Sequence, residues 1–477
     1  MTTLSDLAQT MQDLLTTTAD ELAEQCGFVQ RKRKVTGATF AQAVVFTAMA
    51  DTDAPRSRFR VVAAAVGLNA SRQALDKRFN ERGATFLREL LRAAIVEMVA
   101  SPVAIPLLQR FGAVEVLDSS VVALPEELAE LYPGGRSGRD ATDRPNASVK
   151  LTVGLDLTSG TLRGPELSAG RSGDLKAPLA TAAPPKGGLQ LADLNYFDLT
   201  KFARWQTDGA YWLSRLKSGT KVHDAQGRRL DLVAFLHAAG DADVDIDILL
   251  GSRQRLACRL IARRVPAEVA DLRRRRLLEK SADRGNRPSA VSLALCDWTI
   301  LVTNVPRELL SVTEAVALAR MRWPIELIFK LWKSQGGIDV YRSGQPQAVL
   351  CEVYGKLLAQ VVQRWVIVAG AWSLTDRSMT KAAWVVKDLA LSLAAVIRGV
   401  PRLREILAPI RILMQIVAQI ERRKKRLSAH DMILCLERVM NLPKWSPQVL
   451  VTSSFTSRSP SGFGARSDRA SPPGVRT

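Results

Sequence analysis

Histidine, tyrosine and cysteine are scarce in this chain: its 477 residues include three, five and five of them. The cysteines (Cys26, Cys258, Cys296, Cys351 and Cys435) are odd in number, widely spread and free of any CxxC pair. That excludes a disulfide framework and a cysteine zinc site, and points to a reducing cytosol. The histidines (His223, His237 and His430) share no metal-ligand spacing, and HExxH is absent. A metal, if used, is then held by carboxylates, which favours Mg²⁺ or Mn²⁺ over Zn²⁺. No run of about 18 uninterrupted apolar residues occurs, since the most apolar stretch, Leu357–Leu374, is broken by Gln360, Gln363 and Arg364. No membrane span is expected. Met1–Leu15 lacks a basic segment followed by an apolar core, so no secretory signal is expected either. A phosphate loop, a nucleophile elbow and a GxGxxG-bearing βαβ unit are also missing, which leaves small-molecule chemistry without support.

Negative charge is in deficit. Asp plus Glu number 47 against 67 Lys plus Arg, for a net charge of +20 and a pI near 10.2. Such an excess fits a polyanionic partner, nucleic acid foremost, because neutralising phosphates releases counterions. The basic residues cluster at Arg31–Lys34, Arg273–Arg276 and Glu421–Arg426. One run alone marks a solvated face; three suggest an extended basic surface. Hydrophobic residues at 47% and charged residues at 24% are ordinary for a globular chain. The length suggests two to four domains, at roughly 100–200 residues each.

Residues 1–105 read as helical. Within them, Val61–Phe79 has a small-residue helix ending near Gly67, a turn carrying Asn69, and Ser71 placed to cap a second helix. That helix exposes Arg72, Gln73, Asp76 and Lys77. The outline is that of a helix-turn-helix with the second helix as reader, with an ordinary helical hairpin as the alternative. After Pro106, strands alternate with helices over residues 106–217, which predicts a mixed α/β sheet. Ala113–Asp118 and Leu189–Asp193 are apolar runs that each end in an acid, Asp174–Ala182 reads as a helix, and Tyr211–Lys217 reads as a strand. Val244–Leu250 and Arg255–Val265 alternate with period two, so residues 218–297 read as an inserted β-rich module. The α/β pattern resumes over 298–340 with the strand Trp298–Asn304. Residues 341–442 read as helical. Residues 443–477, rich in Ser, Pro, Gly and Arg, read as a disordered tail.

Three acids stand out: Asp118, Asp193 and Glu326. Pro324 suits the start of a helix and places Glu326 in its first turn. Lys330 and Lys333 follow four and seven residues later on the same face. Such a trio could bind two divalent cations that clamp the attacking and leaving oxygens of a phosphoryl displacement, with the lysines on phosphates. Glu326 with Lys330 is also an ordinary i,i+4 pair.

The run Arg320–Lys333 resembles the Tyr-x2-Arg-x3-Glu-x6-Lys signature of the DDE transposases of bacterial insertion sequences, in the group typified by insertion sequence four. Arg322, Glu326 and Lys333 match it, and Trp323, Ile325, Phe329 and Trp332 fit the surrounding pattern. VLDSSVVALPEELAELYPG resembles that family's first-acid block, LQLADLNYFD its second, and Gly27–Phe40 its N-terminal region. The β insertion before the glutamate is another mark of the group. Two positions depart: Ala319 stands at the signature tyrosine, and Asn195 replaces a glycine, where its tolerance of the left-handed conformation would preserve the turn.

The resemblance implies an RNase H-like core with an inserted β module, flanked by a helical N-terminal DNA-binding domain and a helical C-terminal region. It implies a transposase that cuts the ends of its element and joins them to target DNA. Asp118, Asp193 and Glu326 would hold two Mg²⁺ or Mn²⁺ ions, with Arg322 and Lys333 on phosphates. It also implies a homodimer bound to terminal inverted repeats, in the bacterial cytoplasm at the nucleoid. Trp298 matches a tryptophan that stacks on a flipped base during hairpin formation, although a tryptophan at a strand start also serves simply to fill a core. Ala319 and Asn195 keep open a catalytically impaired derivative that acts as a DNA-binding regulator.

Overall fold

A computed structural model describes residues 2–31, 34–50, 56–135, 146–283 and 285–420. The basic run at 421–426, His430, Cys435, the end of the C-terminal helical region and the whole 443–477 tail lie outside the described residues, as do residues 32 and 33 of the first basic run.

Among the described residues, nine strands form one mixed sheet. They are β1 (Val114–Leu124), β2 (Ala147–Asp156), β3 (Leu162–Ala169), β4 (Leu189–Ala192), β5 (Tyr211–Arg215), β6 (Val222–Asp224), β7 (Val244–Leu250), β8 (Leu256–Arg264) and β9 (Trp298–Thr303). Their order is β3-β2-β1-β4-β5-β9-β8-β7-β6. β1 pairs antiparallel with β2 and parallel with β4, and β4 pairs parallel with β5. The remaining pairs are antiparallel.

Residues 218–297 are therefore not detached from the core. β8 pairs with β9 from Arg264↔Trp298 to Arg259↔Thr303, and β9 also pairs with β5. The physical reason is the open edge that β5 would otherwise present: a row of unpaired N–H and C=O groups is satisfied by continuing the sheet. Acid–arginine pairs fasten the extension. Asp241, Asp243, Asp245 and Asp247 meet Arg264, Arg263, Arg259 and Arg307. Buried Arg259 also donates to the carbonyls of Val305 at 2.6 Å and Leu310 at 3.1 Å.

The sheet is buried on both faces. Val114, Val116, Leu189, Leu191, Leu213, Ile261 and Leu301 belong to one core, shared with the N- and C-terminal helices. Ala192, Trp212, Leu260, Trp298 and Val302 belong to a second core on the opposite face. There, Phe202 of helix Leu199–Thr207 stacks on Trp212 with ring centroids 4.5 Å apart. The segment expected as a helix over 174–182 is instead a 3₁₀ turn (Asp174–Lys176) and a short helix (Pro178–Thr181). Pro178 forces Ala177 into the extended region, and the helix cannot run through it.

The helical ends share one core. Pro346–Ile367 is buried along almost its whole length and packs on Gly37–Ala50 and Glu81–Val96. A side chain at Gly355 would stand 2.3 Å from Val44 Cγ1, so the two helices meet backbone to side chain. Gly355→Leu is expected to destabilise the chain by about 1–3 kcal/mol through overpacking. Adding Val44→Ala should recover part of that loss in urea unfolding; no recovery would mean that the contact is not the cause.

Candidate active site

Asp118 does not end its strand; β1 continues to Leu124 because β2 pairs with it throughout, from Glu115↔Asp156 to Leu124↔Ala147. The parallel pairing with β4 stops at Val116↔Leu191. Asp118 thus lies two residues past the last parallel pair, on the face of Val114 and Val116 by strand alternation. Its carboxylate accepts from the Ser119 N–H at 2.9 Å. Burial pushes the Asp118 carboxyl up; that N–H and Arg322 oppose the shift. Ser119 points the other way and donates to Asp174 Oδ1 at 2.9 Å, which also receives Lys150 Nζ at 2.8 Å.

Asp193 follows β4 directly and opens the 3₁₀ turn Leu194–Tyr196. Asn195 lies inside this turn. Among the described residues the only non-glycine with positive φ is Arg255, so Asn195 needs no left-handed conformation there. The turn tolerates the change because its backbone is ordinary, not because asparagine mimics glycine.

Glu326 sits in the first turn of helix Trp323–Ser334, which starts one residue before Pro324. A carboxylate is favoured there by the helix dipole. Its side chain is 55% exposed, against 20% and 16% for Asp118 and Asp193. Ala319 follows helix Val312–Leu318, whose start is fixed by a Ser311–Glu314 capping box, and packs partly against the first core.

The three acids converge on Arg322, the residue that precedes the glutamate helix. Its guanidinium lies 2.8 Å from Asp193 Oδ1, 3.7 Å from Asp118 Oδ2 and 3.9 Å from Glu326 Oε1. Arg215, on β5, adds a second guanidinium 3.2 Å from Asp193 Oδ1. Sequence reasoning missed Arg215. The signal was available, because the alternation in Tyr211–Arg215 puts Arg215 on the side of Leu213, the side of the acids. Among the described residues, no group of three or more Asp, Glu, His or Cys is close enough to hold a metal in this arrangement. A guanidinium stands between the carboxylates instead.

Lys333 donates to the Val121 carbonyl at 3.2 Å and so ties the glutamate helix to β1; Lys330 is exposed. Ser71 caps the helix Arg72–Asp76 by accepting from Ala74 N–H. Arg72, Gln73 and Lys77 are exposed there, on a helix of only five residues, and Arg72 pairs with Asp76.

Trp298 is placed away from the acids. It is 8% exposed and lies in the second core with Ile300 and Val302, whereas Leu301 faces the first. The alternation of β9 sends its ring to the opposite face of the sheet, where it packs into the second core. Arg273 holds this strand start by donating to the Trp298 carbonyl at 2.7 Å. Trp298→Ala should cost about 3–5 kcal/mol of stability by leaving a cavity. On a folded Trp298→Phe variant, the ratio of nicked to hairpin product on terminal DNA should match wild type. A selective loss of hairpin would restore the base-stacking role.

Lys201, on the helix after the Asp193 turn, lies 4.8 Å from the Trp205 ring centroid. Burial lowers its ammonium from 10.5 to about 8. The folded chain then binds this proton less tightly than the unfolded chain, so stability rises with pH between those two values. Lys201→Met should raise the melting temperature at neutral pH, and the gain should shrink as pH climbs from about 8 to 10.5. A pH-independent difference would show that Lys201 ionisation is not penalised by the fold.

Among the described residues, no helix is long and apolar enough to cross a membrane. Residues 110–362 match the transposase DDE domain family, a span that includes Asp118, Asp193 and Glu326. The chain is 28% identical over 364 residues to the transposase for insertion sequence element IS231F of Bacillus thuringiensis subsp. israelensis, covering 71% of this chain and 75% of the relative. It is 30% identical over 366 residues to the IS231C transposase of Bacillus thuringiensis subsp. berliner, with the same coverage. The IS1151 transposase of Clostridium perfringens is 25% identical over 374 residues, 73% of this chain and 77% of the relative. A domain match over more than half of the chain and relatives aligned along most of its length place this protein among the DDE transposases of bacterial insertion sequences.

Proposed function

We propose that this transposase cuts DNA at the ends of its insertion sequence and joins the freed ends to target DNA, with Asp118, Asp193 and Glu326 as its catalytic carboxylates. The observation that carries the assignment is the convergence of these three acids, from two adjacent parallel strands and one helix, on a single cation. The strand order β3-β2-β1-β4-β5, antiparallel and then parallel, supports an RNase H-like core with β6–β8 as its insertion. The packing of both helical ends on that core supports their role as DNA-handling flanks.

The donor chemistry fits divalent metal. The acids are hard oxygen ligands, and a guanidinium already stands in for a cation among them. Asp118, Asp193 and Glu326 would hold Mg²⁺ or Mn²⁺, two ions in the reading we favour. Such ions, when bound, supply Lewis-acid activation of water and of the leaving oxygen. The protein's own groups do the rest. Arg215 and Arg322 present planar forks that match phosphate oxygens. Lys330 and Lys333 add positive charge along the same helix face. Arg72, Gln73 and Lys77 would contact terminal DNA from the N-terminal helices, with the inverted repeats and target as DNA partners and a homodimer pairing two ends at the nucleoid.

Asp118→Asn, Asp193→Asn and Glu326→Gln should each suppress metal-dependent cleavage of a duplex carrying the inverted repeat that flanks the gene. The loss should exceed the roughly 10–100-fold typical of an outer-shell change. Retention of the same duplex in a gel shift should persist, since DNA affinity does not need these negative charges. Wild-type cleavage by any one variant removes that residue from the site. Wild-type protein that binds the duplex but never cuts it would favour the DNA-binding regulator instead.

A further inference from the structure

We infer that Arg322 is an internal counter-ion that keeps the metal site shut in the DNA-free chain, and that its guanidinium moves to a DNA phosphate when a divalent cation takes its place. The inference rests on the acid-site assignment above and adds a coupling between the two ligands.

The geometry makes the two cations mutually exclusive. Divalent ions take oxygen ligands at about 2.0–2.6 Å. Here the carboxylates are spread around a guanidinium at 2.8, 3.7 and 3.9 Å. The acids cannot close on an ion while Arg322 lies between them. They also cannot lose Arg322 without a replacement, because three carboxylates gathered around one point repel each other.

The position is one that Arg322 can leave. Its Nε is buried without a hydrogen-bond partner, and an unsatisfied buried donor costs free energy. Two of its three carboxylate contacts are long. Glu326 is more than half exposed and free to turn towards an ion. Arg322 is also the residue before a helix, so its side chain can swing without breaking an intrahelical turn. Trp323 beside it is 52% exposed, so the way out leads to solvent, where DNA would lie. A guanidinium released there keeps its full charge and finds a bidentate acceptor in a phosphate. By linkage, the ion and the DNA backbone then strengthen each other's binding, and neither is bound well alone.

The test is Mn²⁺ binding to the full-length chain without DNA, read from the electron paramagnetic resonance of the free ion. Arg322→Ala should bind Mn²⁺ about tenfold more tightly than wild type, within the usual 5–150-fold range of such couplings. Arg322→Lys, which keeps the charge but not the fork, should fall between, and it answers the question if the alanine variant does not fold. Added guanidinium chloride at non-denaturing concentration should weaken Mn²⁺ binding to Arg322→Ala. In gel shifts, Ca²⁺ should strengthen wild-type binding to the flanking inverted repeat and leave Arg322→Ala unchanged. Equal or weaker Mn²⁺ binding by both Arg322 variants would overturn the counter-ion role. A separate arm guards the underlying assignment: Asp118→Asn/Asp193→Asn should abolish Mn²⁺ binding, leaving the full signal of the free ion. If that double variant binds Mn²⁺ like wild type, the acid site itself is wrong, whatever Arg322 does.

Discussion

Carboxylates brought together repel one another, and the whole catalytic half of this protein is arranged around that repulsion. Asp118 and Asp193 are neighbours only because β1 and β4 run parallel and their pairing ends two residues before each acid. Glu326 joins them because the first core holds helix Trp323–Ser334 against the same face of the sheet, with Ile325, Ile328 and Phe329 buried beneath it. Such an assembly is stable only with positive charge inside it. Arg322 and Arg215 provide that charge, one from the residue before the glutamate helix and one from the next strand. Ser119, Asp174 and Lys150 form a second charge-balanced cluster on the reverse face of β1, and fix the strand from behind.

The two cores divide the labour. The first joins the acid-bearing face to both helical ends, so the N-terminal helices are not an independent module. Helix Pro346–Ile367 buries most of its length against them and the rest of the first core, which makes an isolated fragment of the first hundred residues a poor folding unit. The second core is built from Trp205, Trp212, Phe202 and Trp298, and it anchors the β6–β8 extension to the opposite face. A long insertion is tolerated because its strands continue the sheet and its apolar residues, among them Leu236, Ile248 and Leu260, join a core that the flanking segments supply in part.

Much of this was legible in the sequence, and the failures have physical causes. Val244–Leu250 and the glutamate helix were readable because period-two and period-3.6 patterns survive when only one partner face is buried. The acids were readable as residues but not as a geometry: nothing in VLDSS shows that β1 continues beyond Asp118, since that depends on β2 pairing far away in the chain. Continuity of the sheet through β9 was hidden for the same reason, because strand adjacency is not a local property. Arg215 was passed over because an arginine in a strand reads as solvent-facing until the neighbouring acid is known. Trp298 shows the limit of a motif match. Matching a motif placed it correctly along the chain, yet its parity on β9 decides which face it meets, and that parity sends it into the core.

Net charge is similarly ambiguous until contacts are known. The excess of twenty positive charges suggested an extended DNA-binding surface, with the run Arg273–Arg276 as one of its patches. Half of that run is committed internally. Arg273 holds the carbonyl of Trp298 and the hydroxyl of Thr299, and Arg274 pairs with Asp271 and Asp297. Arg259 is likewise tied to Asp245 of β7 and Arg263 to Asp243 just before that strand, and Arg364 lies buried against the Trp372 ring. Burial lowers the Arg364 guanidinium to about 10, so this charge is retained at neutral pH inside the fold, where no phosphate reaches it. Arg275, Arg276, Lys280 and Lys330 are exposed, which leaves them available to a polyanion. Affinity for DNA follows the phosphates actually neutralised and not the formal total. The salt dependence of binding should therefore count these exposed groups, with Arg322 added only when it has left the acids.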